Sequence, residues 1–194
     1  MKKLFCIIVT IVFLLTGCAE STIERVDTST NSQPNTGAST SGASSNQTAT
    51  ETASTAQASN KNAPEIFQVG DTVKFDNLQI TLNGVREVKE TEFLSPDNDK
   101  YLVIDLTIEN VGSESEIVSA LMQMELMDAD SFSYSPTIYL DAKGSVDGEI
   151  APGRKQRGEV AFDVPDSDYY EFIFSDPFTT GQAIWRIENN DIVQ

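Results

Sequence analysis

The sequence predicts an all-β fold, a sandwich of about seven or eight antiparallel strands over residues 65–194. Two observations predict it. Apolar residues recur at alternate positions through this stretch, with no sustained helical period. Turn-forming residues cut the alternation into short segments. A third observation bears on layering: most segments are apolar on one side only, so a lone sheet would leave that side in water, and two sheets packed face to face bury it.

Leu78, Ile80 and Leu82 alternate with Gln79, Thr81 and Asn83. The clearest segment is Lys100–Asn110, where Leu102, Ile104, Leu106 and Ile108 point one way and Tyr101, Asp105, Thr107 and Glu109 the other, with Val103 the one apolar exception. Met122, Met124 and Leu126 alternate with Gln123 and Glu125, which reads the methionines as core filling. Gly158, Val160, Phe162 and Val164 alternate with Arg157, Glu159, Ala161 and Asp163. Tyr170, Phe172 and Phe174 make another set, and Trp185 and Ile187 the last. Gly70-Asp71, Pro96-Asp97-Asn98, Gly112-Ser113, Lys143-Gly144, Pro152-Gly153, Pro165-Asp166-Ser167 and Thr180-Gly181 supply the turns. Gly112 and Gly153 suit turn positions with positive φ. Asn110 closes its strand where its side chain can bond backbone, and an inward-facing Gly158 is expected to make room for a large neighbour such as Trp185.

Two segments precede the strands. Residues 1–17 have the build of a signal peptide: Lys2 and Lys3, then an apolar run from Leu4 to Leu15 broken only by Thr10. That run is too short to span a bilayer core, which takes about 20 residues in a helix. Leu15-Thr16-Gly17-Cys18 follows and resembles the lipobox of bacterial lipoprotein precursors. The resemblance implies cleavage between Gly17 and Cys18 and a diacylglyceryl group on the Cys18 thiol. Two acyl chains suffice for stable anchoring, each buried CH₂ contributing ~0.8 kcal/mol. Residues 18–64 then read as the lipidated cysteine and a disordered tether. They contain no aromatic residue, and between Thr28 and Asn60 the only charge is Glu51. Such a composition cannot bury enough apolar surface to offset the entropy of ordering. A flexible chain of this length has an end-to-end distance of roughly 35–40 Å, a spacer that would lift the domain from the membrane.

The chain has 13 basic and 30 acidic residues, a formal net charge of −17. Losing Lys2 and Lys3 with the leader deepens the imbalance. A field of this sign repels nucleic acid and anionic headgroups, so nucleic acid is not an expected partner and membrane contact is expected through the lipid. The only cysteines are Cys6, inside the leader, and Cys18. The domain therefore has no disulfide and no cysteine metal site.

Chemistry has few places to reside. The chain has no histidine, which removes Ser-His-Asp triads, Cys-His pairs and histidine-bound zinc. No phosphate-cradling or dinucleotide glycine pattern is present, and no cofactor is expected. Paired carboxylates remain the one formal route to catalysis. Asp97 and Asp99, with Asp128 and Asp130, are candidate calcium ligands without EF-hand spacing. Arg154, Lys155 and Arg157 gather basic charge just after Pro152-Gly153 and are candidates for meeting an anionic envelope group. Tyr101, Tyr134, Tyr139 and Tyr169 are candidates for an exposed, paratope-like surface.

The order of motifs resembles a known family. Val69-Gly70-Asp71-Thr72-Val73 opens the domain, followed by Leu78–Leu82, then Tyr101–Asn110. Leu126-Met127-Asp128-Ala129-Asp130, Pro152-Gly153 and Arg157–Pro165 complete the series. This series is similar to the domain of unknown function 4352, in the immunoprotective extracellular, immunoglobulin-like superfamily. The resemblance implies an immunoglobulin-like sandwich outside the cytoplasmic membrane and no catalytic residues. Together these readings predict a non-catalytic binding module, lipid-anchored at the cell membrane and facing a protein or envelope component. The alternative is a small-molecule or ion-binding sensor or delivery lipoprotein, and the weaker one an enzyme using paired carboxylates.

Overall fold

The computed structural model describes residues 20–26, 65–90 and 95–194. In chain order these form β1 (Ile23–Arg25), β2 (Ile66–Gln68), β3 (Thr72–Phe75), β4 (Leu78–Val88), β5 (Lys100–Asn110) and β6 (Glu116–Val118). A four-residue helix, α1 (Ala120–Gln123), leads into β7 (Met124–Asp128), β8 (Ser133–Tyr134), β9 (Pro136–Thr137) and β10 (Gly148–Ile150). Then come β11 (Lys155–Val164), β12 (Tyr169–Ser175), β13 (Gln182–Glu188) and, after a 3-10 turn at Asn189–Asp191, β14 (Ile192–Val193).

The strands assemble as the alternation predicts, in two main sheets. One has the order β1-β3-β4-β5-β11-β9, with β14 on β4 beyond the end of β3; the other has the order β2-β13-β12-β7-β8. A small β6–β10 ladder stands apart from both. Rings from the two sheets meet edge to face between them: Phe75 with Phe174 at 5.2 Å and Phe162 with Phe172 at 6.3 Å. Most pairings are antiparallel, but β2 on β13 and β14 on β4 run parallel. Every edge is short, because β1 and β2 have three residues each and β8 and β9 two each.

Leu102, Ile104, Leu106 and Ile108 of β5 are fully buried against the facing sheet. Val103, the exception to the alternation, is buried too, on the outer face with Tyr101 and Ala161, covered by Val88 and Tyr139. The stretch after β9 folds over this part of the sheet and gives the outward apolar side chains a roof. Asn110 has no exposed surface; its Nδ2 donates to Glu114 O (2.7 Å) and Ile150 O (2.8 Å), and its Oδ1 accepts from Gly112 N (2.8 Å).

Four expectations about single residues change. Gly112 does not have positive φ, whereas Gly153 does at +68°. Gly112 is needed for closeness, since a Cβ there would lie 2.8 Å from Asn77 Cβ. Gly158 makes room for backbone, not for Trp185: a Cβ would lie 2.6 Å from the Ser145 backbone, where Gly144 and Gly158 form a bridge. Met122 is 60% exposed, because α1 interrupts the period-two pattern, and only Met124 joins the core. Tyr101 is buried and donates to Ser95 O.

The largest difference lies in the segment expected as tether. Within 18–64, Ile23–Arg25 pairs antiparallel with β3, Ile23 opposite Phe75 and Arg25 opposite Val73. Ile23 packs on the core. Arg25 pairs with Asp71 and with Glu65 (3.1 Å), and its guanidinium lies 4.9 Å from the Phe67 ring centroid. Ile23 and Val26 flank Glu24 and Arg25 before the Ser/Thr-rich run begins, a stretch too short and without the period-two alternation to mark a strand. Residues 27–64 lie outside the described residues, as do the leader, Gly17 and Cys18.

Candidate interaction surface

Asp128, the last residue of β7, organises the loops at one end of the sandwich. Its Oδ1 accepts from Asp130 N (3.0 Å) and Phe132 N (2.9 Å), and its Oδ2 accepts from the Tyr134 hydroxyl (2.9 Å). These bonds fold residues 128–134 into a tight hairpin that turns through residues 129–131, with Ser131 at φ +67° and Phe132 opposite Asp128 at the base of the turn, 65% exposed. An aspartate suits this position because its short side chain bonds backbone two residues on.

The loop between β11 and β12 closes against this hairpin. Ser167 Oγ accepts from Ala129 N (3.0 Å) and donates to Tyr169 O (2.9 Å). The Tyr170 hydroxyl donates to Pro165 O. Between the two loops lies a surface hollow of about 650 Å³, lined by Asp128, Asp130, Asp166 and Asp168 and by Phe132 and Tyr134, among others. Its walls are cross-bridged and its lining is acidic, with one aromatic presented to solvent.

Lys100 anchors the floor beside the hollow. Its Nζ lies 2.8 Å from Asp166 and 3.3 Å from Glu87, and 5.7 Å from the Tyr170 ring centroid. Burial opposes the Lys100 ammonium, but hydrogen bonds to Asp166 and Glu87 and the nearby Tyr170 outweigh it and raise its pKa. The same hydrogen bond lowers the Asp166 carboxyl. Tyr134 is pushed up to about 12, first by burial and then by the Asp128 carboxylate that accepts its proton.

The sign of the resulting pH dependence follows. A phenol held above its ordinary 10.0 keeps its proton in the folded state longer than in the unfolded chain. Its contribution is full below about pH 10 and is lost as pH rises through about 12, and the raised Lys100 acts in the same direction. On the acid side, Asp166 is lowered by Lys100, Asp105 by Arg157 and Glu159 by Arg86 against its own burial. Their contributions are present above the ordinary carboxylate range, about 4, and are lost as pH falls below it. The melting temperature is therefore expected to be level between about pH 5 and 9 and to fall on both sides. In a tyrosine absorbance titration of the folded protein, Asp128→Asn is expected to bring the Tyr134 midpoint down; an unchanged midpoint would refute the role given to Asp128.

The structure distributes the other candidate residues as follows. Asp97 and Asp99 come to the same end as Asp128 and Asp130, with Asp97 N donating to Asp163 and Asp99 Oδ2 accepting from Asp166 N. Among the described residues no three acidic or other ligating side chains gather closely enough to hold a metal ion. Arg157 grips Asp105 across the β11–β5 ladder through Nε (3.0 Å) and Nη2, and Lys155 lies 3.8 Å from Glu109. The basic cluster is thus largely occupied within its own sheet, at the end opposite the hollow. The tyrosines do not form a paratope: Tyr139 lies under Arg86, and Tyr169 under Arg186 at 3.9 Å. Among the described residues the exposed aromatics are instead Phe132 and Phe178, which no periodicity marks because each sits in a turn or loop.

Among the described residues no helix is long and apolar enough to cross a membrane. The model of the family described as Domain of unknown function (DUF4352) matches residues 67–184. YjhA of Bacillus subtilis (strain 168), an uncharacterized lipoprotein, is 25% identical over 134 residues, 61% of this chain. The chain spans 62% of that relative's length. The crystal structure of the yjhA protein from Bacillus subtilis superposes with a TM-score of 0.50 at 19% identity, over 63% of this chain and 100% of the other. That likeness is one of fold. An uncharacterized β-sandwich protein from Clostridium difficile 630 gives a TM-score of 0.44 at 17% identity, over 66% of this chain and 97% of the other.

Proposed function

The chain belongs to the DUF4352 family, and from that premise we propose that it is a lipid-anchored, extracytoplasmic module that binds a partner without catalysis. One observation carries the reading: Phe132 stands exposed where the β7–β8 hairpin turns, opposite Asp128, which already bonds its backbone in place. Holding an aromatic anchor in its bound geometry lowers the entropy cost of association, and large rings are the usual energetic centres of interfaces. The four aspartates around it favour a partner that presents basic groups, such as a cationic segment of a protein or envelope component. Catalysis has little support in the same hollow. Asp128 is committed to three donors, Ser167 is bonded in both directions, and Asp166 is paired with Lys100.

The lipid anchor rests on Leu15-Thr16-Gly17-Cys18 and on the lipoprotein relative. Cys18→Ala is expected to leave uncleaved precursor or to move the protein out of the membrane fraction. A variant that fractionates and migrates like the natural protein would refute the anchor. For the partner, a photo-crosslinker placed at Phe132 in lipidated protein on intact cells is expected to trap a discrete adduct that Asp130→Lys weakens. A crosslinker at Phe132 that traps nothing, while one on another exposed face does, would move the site elsewhere.

The volume of the hollow, within the range of small-molecule sites, favours a second reading as a small-ligand sensor. A small organic cation such as spermidine that raises the melting temperature of the natural protein, but not of Asp130→Asn, would establish that alternative.

A further inference from the structure

We propose that the end of the sandwich carrying β1 rests directly on the lipid bilayer, with Phe178 as its contact, and that the domain is not lifted away on a long tether. This deepens the anchoring reading and rests on lipidation of Cys18.

The argument begins with chain connectivity. Cys18 precedes Glu20 by two residues, a reach of at most about 7 Å. Glu20 is itself bridged to Thr180, Ser21 N donates to Thr180 O (2.7 Å), and the Ser21 and Thr179 hydroxyls are hydrogen-bonded. Thr22 N donates to Asp76 Oδ1 (2.7 Å) in the β3–β4 turn, after which β1 runs along β3. The acylated residue thus leaves the domain beside residues 178–181. Residues 27–64 join β1 to β2 and add nothing to the distance between lipid and fold.

At this exit the surface is apolar where it projects most. Phe178 is 85% exposed, and it is held outward by a turn in which Asp176 Oδ1 accepts from Phe178 N (2.7 Å) and Asp176 O from Thr179 N. Leu121 (71% exposed) and Met122 (60%) lie on α1 at the same end, since β7 begins there with Met124 opposite Phe174. Apolar and aromatic tips of this kind enter the headgroup boundary of a bilayer. Glu20, Asp76 and Asp176 share this end with Arg154 and with Lys155 and Arg157, which are paired to Glu109 and Asp105, so its charge is mixed and the occupant is a lipid surface reached through apolar contact and the covalent anchor. The opposite end, with the acidic hollow, then faces away from the membrane.

The chain suits a direct test, because Cys6 leaves with the leader and the Cys18 sulfur is consumed by lipid. Phe178→Cys or Asp168→Cys, in full-length protein processed by cells, supplies a unique thiol for an environment-sensitive fluorophore. Each labelled protein is reconstituted in phosphatidylcholine vesicles with brominated acyl chains. The expected result is several-fold stronger quenching at position 178 than at 168, abolished by a Gly/Ser spacer inserted between Cys18 and Glu20. Equal, weak quenching at both positions in protein whose N-terminal peptide carries the diacylglyceryl mass overturns the proposal and leaves the anchor intact. An unmodified Cys18 overturns both. A label response at 178 that persists in detergent and grows with protein concentration assigns the face to a second copy and also overturns the proposal.

Discussion

Trp185→Ala is expected to destabilise the domain by about 3–5 kcal/mol, the range for removing a buried large aromatic. Trp185 has no exposed surface and lies between the Phe67 and Phe172 rings, 5.7 Å from each. Its indole Nε1–H donates to Asp71 O (3.3 Å), tying β13 to the turn before β3 and so one sheet to the other. The cavity left by alanine would also loosen Phe67, and with it β2, whose ladder to β13 is only three residues of parallel pairing. At roughly 3–5 °C per kcal/mol for a domain of this size, the melting temperature should fall by about 10–20 °C. Denaturant titration followed by circular dichroism measures the loss, since the change removes the one tryptophan. Trp185→Phe keeps most of the stacking and forfeits the hydrogen bond, and should cost clearly less. A loss below about 1 kcal/mol for alanine, as at surface sites, would show that the core does not centre on this ring.

Asn110→Ala is expected to cost about 2–4 kcal/mol with almost no change in apolar packing, because a buried group left without its partner costs roughly 1–3 kcal/mol. The side chain serves three backbone groups: the Glu114 and Ile150 carbonyls and the Gly112 N–H. Its own backbone accepts from Gly153 N and donates to Arg154 O. One residue thereby closes β5, the turn that follows it and the β10–β11 turn. Asn110→Asp is the sharper control. It keeps the shape but sets a carboxylate against two carbonyl oxygens, so its destabilisation should ease as pH falls and the carboxyl gains a proton. Equal melting temperatures for the Asp variant at pH 4.5 and pH 7, against a flat natural protein, would argue that Asn110 does not act through these bonds.

The sandwich was legible because burial on one face writes a period of two into β4, β5, β11 and β12, and a long strand repeats the message several times. Asn110 was legible for a related reason, as a polar residue closing an apolar strand. The pattern was silent or misleading where one side chain answers to something other than a strand face. Met122 continues the alternation of β7 by accident of composition, while the chain there turns through α1. Gly158 signals closeness but not to what, and the neighbour is the backbone at Ser145, from a segment with no periodicity of its own. Strand β1 was hidden by its brevity and by the Ser/Thr-rich run beside it. The candidate site was less legible still. Asp128 and Asp130 look like ligands in a sequence, and the hydrogen bonds that turn Asp128 into the clasp of a hairpin exist only once β7 and β8 have paired.

For a chain anchored as proposed above, the two- and three-residue strands at the sheet edges bear on life in two dimensions. Anchored proteins meet their own copies far more often than free ones do, and a long bare strand under such crowding templates addition of the next chain. Here no rim offers more than a few open peptide groups in a row, and Pro136 removes a donor from one of them. The fold can therefore be packed densely in a plane without polymerising through its sheets.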